Sequence, residues 1–168
     1  SVVFLIRYRI TKNTIDMSPL NLENYIVKLS NVVPCGNAVI VGHYLITSGH
    51  LFFNNNVLYF MHDDIKYELH KEHALFYEDV TQGIGKSDIA IFKFENFSSP
   101  LKIASTLPAV GDNLLNVHYK HFIFAEGENS KFIHSNGVVL ELIEDFFMCD
   151  MKPSLYDGSS GSPILYGD

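Results

Sequence analysis

Residues 35–50 read CGNAVIVGHYLITSGH. Two short runs of β-branched and aromatic residues, NAVIV and YLITS, are followed by a Thr-Ser-Gly turn that ends at His50. Runs of this length and composition, bounded by glycine, predict strands and not a helix. The same texture covers the chain: VVFLI, YIVKL, VLYFM, IKYEL, IAIFKF, NLLNV, HFIFA, GVVLELI and FFMCDM are all short and rich in Val, Ile, Phe or Tyr. Between them stand turn formers such as FNNN, HDD, PAVGDN and GEN. No stretch keeps apolar residues at helical spacing through three turns. One short helix is predicted within 16–25, with Ser18 as its cap and Pro19 at its first position. Regular short strands with polar turns predict an all-β sandwich or barrel. Patterning pauses at FSSPLKIASTLPAVGD (97–112), which divides the chain into residues 25–100 and 101–168, preceded by an N-terminal extension, 1–24.

At 168 residues the chain is one ordinary domain or two small subdomains, long enough to bury a core. Apolar residues make up 47% and charged residues 18%, a globular composition. With a net charge of −7 and only 12 Lys and Arg, no phosphate-tracking surface is expected, which excludes nucleic acid as the main partner. VVFLI is interrupted at Arg7 and Arg9, too soon for a membrane span or a signal peptide. Ser1, with no Met before it, reads as a cleavage product or the edge of an excised segment. Two cysteines, Cys35 and Cys149, make no disulfide framework, so a reducing, intracellular setting is expected.

The segment GSSGSP (158–163) is the first with chemical content. A nucleophilic serine needs an exposed hydroxyl, a base within reach and backbone N–H donors aimed at the developing oxyanion. Gly158 allows a conformation in which its own N–H and that of Ser160 point to one spot. On its own the segment is a Gly/Ser turn. His50, at the end of its strand pattern, and Asp88, immediately before the strand IAIFKF, change that reading. A buried Asp bonded to one His nitrogen fixes the tautomer, so the other nitrogen can take a serine proton.

Across four collinear blocks the sequence resembles the chymotrypsin-like serine proteases, a double β-barrel family. Residues 35–50 are similar to the family's block around the catalytic His. DIAIFKF is similar to its Asp-Ile-Ala-Leu segment, LPAVGDNLLNV (107–117) to its entry into the second barrel, and GSSGSP to its nucleophile loop. The resemblance covers about 32–168. It implies Ser160 as nucleophile, His50 as general base, Asp88 as orienting acid, and the N–H groups of Gly158 and Ser160 as the oxyanion hole. Ser159 and Ser162 are then loop residues. The implied substrate is a polypeptide, with no cofactor and no metal.

Two departures narrow the branch. Where secreted members pair a cysteine with Cys35, this chain has Leu51, and Ser159 stands where zymogen-activated members carry an aspartate. Activation by an inserted N-terminus is therefore not expected. Both losses, with the composition rich in Asn, Ile, Phe and Tyr, are similar to viral polyprotein-processing main proteases of the arterivirus and torovirus type. For such an enzyme the setting is the host-cell cytoplasm. In this family further strands come after the nucleophile, whereas only PILYGD does so here, and the second barrel is expected to be cut short. That motivates an alternative reading, a catalytically incompetent binding module on the same fold.

Several motifs carry no such chemistry. GIGKS (83–87) is similar to the end of a phosphate-binding loop but lacks its first glycine. The esterase pattern G-x-S-x-G fails at Ser162. HKEH (70–73) and HYKH (118–121) hold His residues three apart, which in strands points the rings to opposite faces, so both are expected to be surface or turn histidines. FFMCDM reads as core, with Cys149 a candidate thiol near the substrate cleft.

Overall fold

A computed structural model describes residues 4–8, 22–82, 87–120, 131–143, 146–155 and 157–167. Its first strands are β1 (Phe4–Tyr8), β2 (Ile26–Ser30), β3 (Pro34–Val41), β4 (Tyr44–Thr47), β5 (Val57–His62), β6 (Ile65–His70), β7 (Phe76–Glu78) and β8 (Ile89–Lys93). The remainder are β9 (Lys102–Ile103), β10 (Asn113–Tyr119), β11 (Phe132–Ile143), β12 (Phe146–Lys152) and β13 (Pro163–Gly167). They form a seven-stranded sheet in the order β6-β5-β2-β3-β4-β8-β7 and a six-stranded sheet in the order β12-β11-β10-β13-β1-β9. The all-β expectation is met. Among the described residues the regular helical turns are short 3-10 segments, and Glu23–Tyr25 is one of them. The rest of the predicted helix, 16–21, lies outside the described residues, as do HFIFA and most of GIGKS.

Burial explains why NAVIV is nearly continuous in apolar residues and not alternating. β2, β3 and β4 are covered on both faces. Val27, Leu29, Ala38, Ile40 and Leu45 point into one core with Phe52, Leu58, Phe60 and Phe92. Their neighbours Ile26, Val39, Val41 and Ile46 point the other way, into a second core with Leu101, Val117 and Leu165 of the other sheet's side. A third core, Leu114, Val139, Met151, Ile164 and Tyr166, lies beyond the six-stranded sheet. Strands farther from this junction alternate: in β5 Leu58 and Phe60 are buried while Met61 is exposed. The order is thus core, sheet, shared core, sheet, core.

Two connections complete the sheets. β5 and β6 are joined by Asp63 and Asp64, both at positive φ (50° and 63°), a two-residue turn matched to the twist of the strands. Among the described residues all strand pairings are antiparallel except that of β1 with β13, which is parallel and sets Phe4 opposite Pro163. The N-terminal extension therefore contributes a strand to the six-stranded sheet.

Candidate active site

β4 and β8 pair with Thr47 opposite Ala90. Carried two residues further, that register sets Gly49 opposite Asp88, so strand pairing alone delivers the carboxylate to the turn holding His50. A 3-10 turn over Gly49–Phe52 then bends His50 onto it. Asp88 holds His50 by two atoms. The backbone N–H of His50 donates to Oδ1 at 2.6 Å, and the ring Nδ1 lies 2.5 Å from Oδ2. A carboxylate only accepts, so Nδ1 carries the proton and Nε2 keeps its lone pair in the neutral ring. The Asp88 side chain is 5% exposed and that of His50 37%, the arrangement of a sheltered acid and an accessible ring. Gly49 is required by close approach: a Cβ there would stand 2.1 Å from the Glu78 carbonyl oxygen and 3.1 Å from Asp88 Oδ1.

A second buttress was not visible in the sequence. The Tyr77 hydroxyl, on β7, lies 3.1 Å from the Gly49 carbonyl and 2.5 Å from Asp79 Oδ2, sharing its proton between them. Asp79 also accepts from the Thr81 N–H at 2.8 Å and from the Thr81 hydroxyl. Burial, then the Asp79 bond and charge, push the Tyr77 phenol well above its ordinary range. The bonds from Thr81 and Tyr77 hold the Asp79 carboxyl below its ordinary value.

Ser160 comes directly after a 3-10 turn over Asp157–Ser159, a geometry in which N–H groups face carbonyls three residues back. The loop is tied down carbonyl by carbonyl. Asn37 Nδ2 donates to the Gly158 carbonyl at 3.0 Å, and the Asn37 backbone N–H to the Ser160 carbonyl at 2.8 Å. The Ser159 carbonyl accepts from the Ser162 N–H at 3.0 Å and from the Ser162 hydroxyl at 2.5 Å. Asn116 Nδ2 reaches Ser162 Oγ at 2.9 Å and the Pro163 carbonyl at 2.7 Å. Gly161, at φ +84°, could carry no side chain: its Cβ would meet the Asn37 carbonyl oxygen at 1.9 Å and Thr47 Oγ1 at 2.6 Å.

These contacts bring the two halves of the site together. Thr47, three residues before His50, lies against Gly161. Leu51, next to His50, lies across Gly36 from Ser160; a Cβ on Gly36 would be 2.5 Å from Leu51 Cδ1 and 3.0 Å from the Ser160 carbonyl oxygen. Among the described residues no hydrogen bond joins the His50 ring to Ser160, and Ser160 is 2% exposed. Such contacts are commonly long before substrate binds. Ser159 and Ser162 are fully buried in the loop's own bonding.

Elsewhere two expectations are corrected. His70 and His73 do not diverge. His73 sits in a 3-10 turn, Lys71–His73, where residues three apart eclipse, so the rings lie 5.3 Å apart. His118 is not at the surface; it is fully buried on β10, with Nδ1 2.6 Å from Asn116 Oδ1. His121 lies outside the described residues. No group of three or more metal-ligating side chains gathers among the described residues. Cys149 packs partly buried against the third core, its thiol pushed up by burial and by Asp150. Burial likewise raises Cys35 to about 11, beside the Leu29 carbonyl. A cavity of about 640 Å³, lined by Asn56, Val57, His70, Lys71, Glu72 and Tyr77, holds none of His50, Asp88 and Ser160.

No protein-family model matches the sequence, and no curated protein matches it. Solved structures do match. The Rv3671c protease of M. tuberculosis in its active form is similar over 99% of this chain and 76% of its own, at 15% identity and a TM-score of 0.62. A tobacco vein mottling virus protease is similar over 90% and 70%, at 17% identity and a TM-score of 0.55. A serine endoprotease from Yersinia pestis is similar over 85% of this chain but 50% of its own, at 17% identity and a TM-score of 0.56. The fold is the chymotrypsin-like double β-barrel.

Proposed function

We propose that this chain is a serine endopeptidase. Ser160 attacks the scissile carbonyl, Nε2 of His50 takes the hydroxyl proton, and Asp88 holds the ring and stabilises the imidazolium that forms. The leaving amine takes that proton back, and water releases the acyl group by the same route in reverse. The N–H groups of Gly158 and Ser160 receive the oxyanion. From the 3-10 turn, this hole forms when the peptide before Gly158 rotates, a motion that a residue with no Cβ permits. The observation that carries the reading is the two-point hold of Asp88 on His50, in a turn packed against the Ser160 loop.

The substrate we propose is a polypeptide lying extended along a strand edge of the second sheet, and in particular a viral polyprotein. Fold-level likeness to a plant-virus protease and the resemblance to arterivirus and torovirus main proteases support this finer reading. A host-cell cytoplasmic setting goes with it, as does the free thiol state of both cysteines.

One observation favours a second reading. Ser160 is almost fully covered and makes no bond to the His50 ring among the described residues, as expected of a binding module that keeps the barrels without the chemistry. A fluorophosphonate probe separates the two. The peptidase reading expects labelling of Ser160 in the chain, or in a version lengthened past Asp168, abolished by Ser160→Ala and strongly slowed by His50→Ala. A folded protein that takes no label in either length would overturn the peptidase reading and favour the binding module. A peptide library then defines the residues flanking the cleaved bond.

A further inference from the structure

We propose that Asn37 is the positioning residue of the nucleophile loop, setting the direction of the peptide on which the oxyanion hole turns. The proposal rests on the peptidase reading for its kinetic consequence, and on geometry alone for the clamp itself. Asn37 stands in β3, fully buried, the one strongly polar side chain in the run NAVIV. A polar side chain in that position demands partners, and those it finds belong to three separate parts of the site.

Its amide bridges the two sheets. Oδ1 accepts the Tyr119 N–H of β10 at 2.8 Å, and Nδ2 donates to the Gly158 carbonyl at 3.0 Å. The orientation is fixed chemically, because a backbone N–H must face the oxygen and a carbonyl must face the nitrogen. Its backbone N–H holds the Ser160 carbonyl at 2.8 Å, and its own carbonyl accepts the Thr47 hydroxyl at 2.6 Å. Thr47 closes the strand that leads to His50. One residue therefore ties the base's strand, the nucleophile's loop and the second sheet.

Peptide planarity gives this clamp its consequence. In a trans peptide the N–H points opposite to the C=O. With the carbonyls of Gly158, Ser159 and Ser160 all anchored, the N–H groups of Ser159, Ser160 and Gly161 are aimed. The Asp157 carbonyl is held by the 3-10 turn itself, as the acceptor three residues before the Ser160 N–H, so the peptide between Asp157 and Gly158 rotates only when that turn unwinds. Asn37 thus holds the pivot still, so that unwinding the 3-10 turn swings the Gly158 N–H towards that of Ser160 and not the whole loop. Asn37→Asp keeps the acceptor for Tyr119 but turns an oxygen on the Gly158 carbonyl. Asn37→Ala leaves both partners without a bond.

The test combines kinetics on the full chain with hydrogen exchange. Both variants should lower kcat by about 10- to 100-fold, somewhat less than loss of an oxyanion donor itself, with KM changed less than about threefold. Amides of 158–162 should exchange at least about tenfold faster, with those of β5 and β6 unchanged. A folded variant with kcat within about threefold of wild type, or a rise in KM with kcat unchanged, overturns the positioning role. Should the variants fail to fold, the wild-type chain decides: the Asn37 side-chain amide protons must exchange slowly, and exchange at the rate of a free amide overturns the clamp. If wild type itself takes no fluorophosphonate label, the peptidase reading falls and the exchange data alone judge the clamp.

Discussion

Asp88 presents one oxygen to a backbone N–H and the other to a ring nitrogen, and those two partners differ in what they tolerate. The His50 N–H can only donate, so it claims whichever acceptor remains in a substituted side chain. In Asp88→Asn the amide oxygen must therefore face the backbone, and the NH₂ group faces Nδ1. Nδ1 then has to offer a lone pair, which moves the ring proton to Nε2, the nitrogen that receives the serine proton in the proposed reaction. The geometry survives but the tautomer is wrong. We expect Asp88→Asn to fold with unchanged stability within about 1 kcal/mol and to lose about 10⁴-fold in kcat at neutral pH. Steady-state kinetics on a peptide substrate drawn from the cleavage library checks this, and a loss smaller than about tenfold would remove Asp88 from the orienting role.

At the scale of elements, β7 and the turn after it support the His50 turn from behind. Tyr77 joins Gly49 to Asp79, and Thr81 caps the same carboxylate. Because these bonds favour the ionised form, Asp79 binds its proton less readily when folded than when unfolded. Its contribution to stability is fully present above the ordinary carboxyl value, about 4, and is lost as pH falls through the lower folded value. Asp79→Asn should therefore be less stable than wild type at pH 7, with the gap narrowing as pH drops below about 4. Urea unfolding at pH 7, 4 and 3 measures it; a gap that widened in acid would mean the bonds to Asp79 are not what depresses it. None of this buttress is legible in the sequence. β7 and β9 hold three and two residues, too few to display a period of two, and the chemistry of Tyr77 depends on a partner 28 residues away. His50 and Asp88 are legible because an antiparallel register converts their positions at strand ends into contact. Asn37 does carry a signal, a polar side chain within a run whose neighbours are buried on both faces, but the run alone does not say which partners it meets. His118 misleads because HYKH has the polarity of a turn, whereas β10 continues into it with both faces covered.

The molecule as a whole is held by what the two sheets share. Ile26, Val39, Val41 and Ile46 from one side and Val117 and Leu165 from the other fill a single core, so neither sheet keeps a closed interior if the other opens. Polar links cross the same boundary: His134 Nε2 on β11 lies 2.5 Å from Glu23 Oε1, and Asn37 holds Tyr119 and Gly158. Catalysis of the kind proposed needs this coupling, because His50 and Asp88 belong to one sheet and Ser160 precedes a strand of the other. Leu165, fully buried on β13 of the six-stranded sheet, tests whether the coupling is energetic as well as geometric. Leu165→Ala should cost about 2–5 kcal/mol through lost transfer and the cavity left behind. If the shared core makes one cooperative unit, native-state hydrogen exchange will show the same loss at the amides of β3 and β4 as at those of β10 and β13. Faster exchange confined to β10 and β13 would mean that the sheets open separately, and the site would then be assembled only while two independent units stay docked.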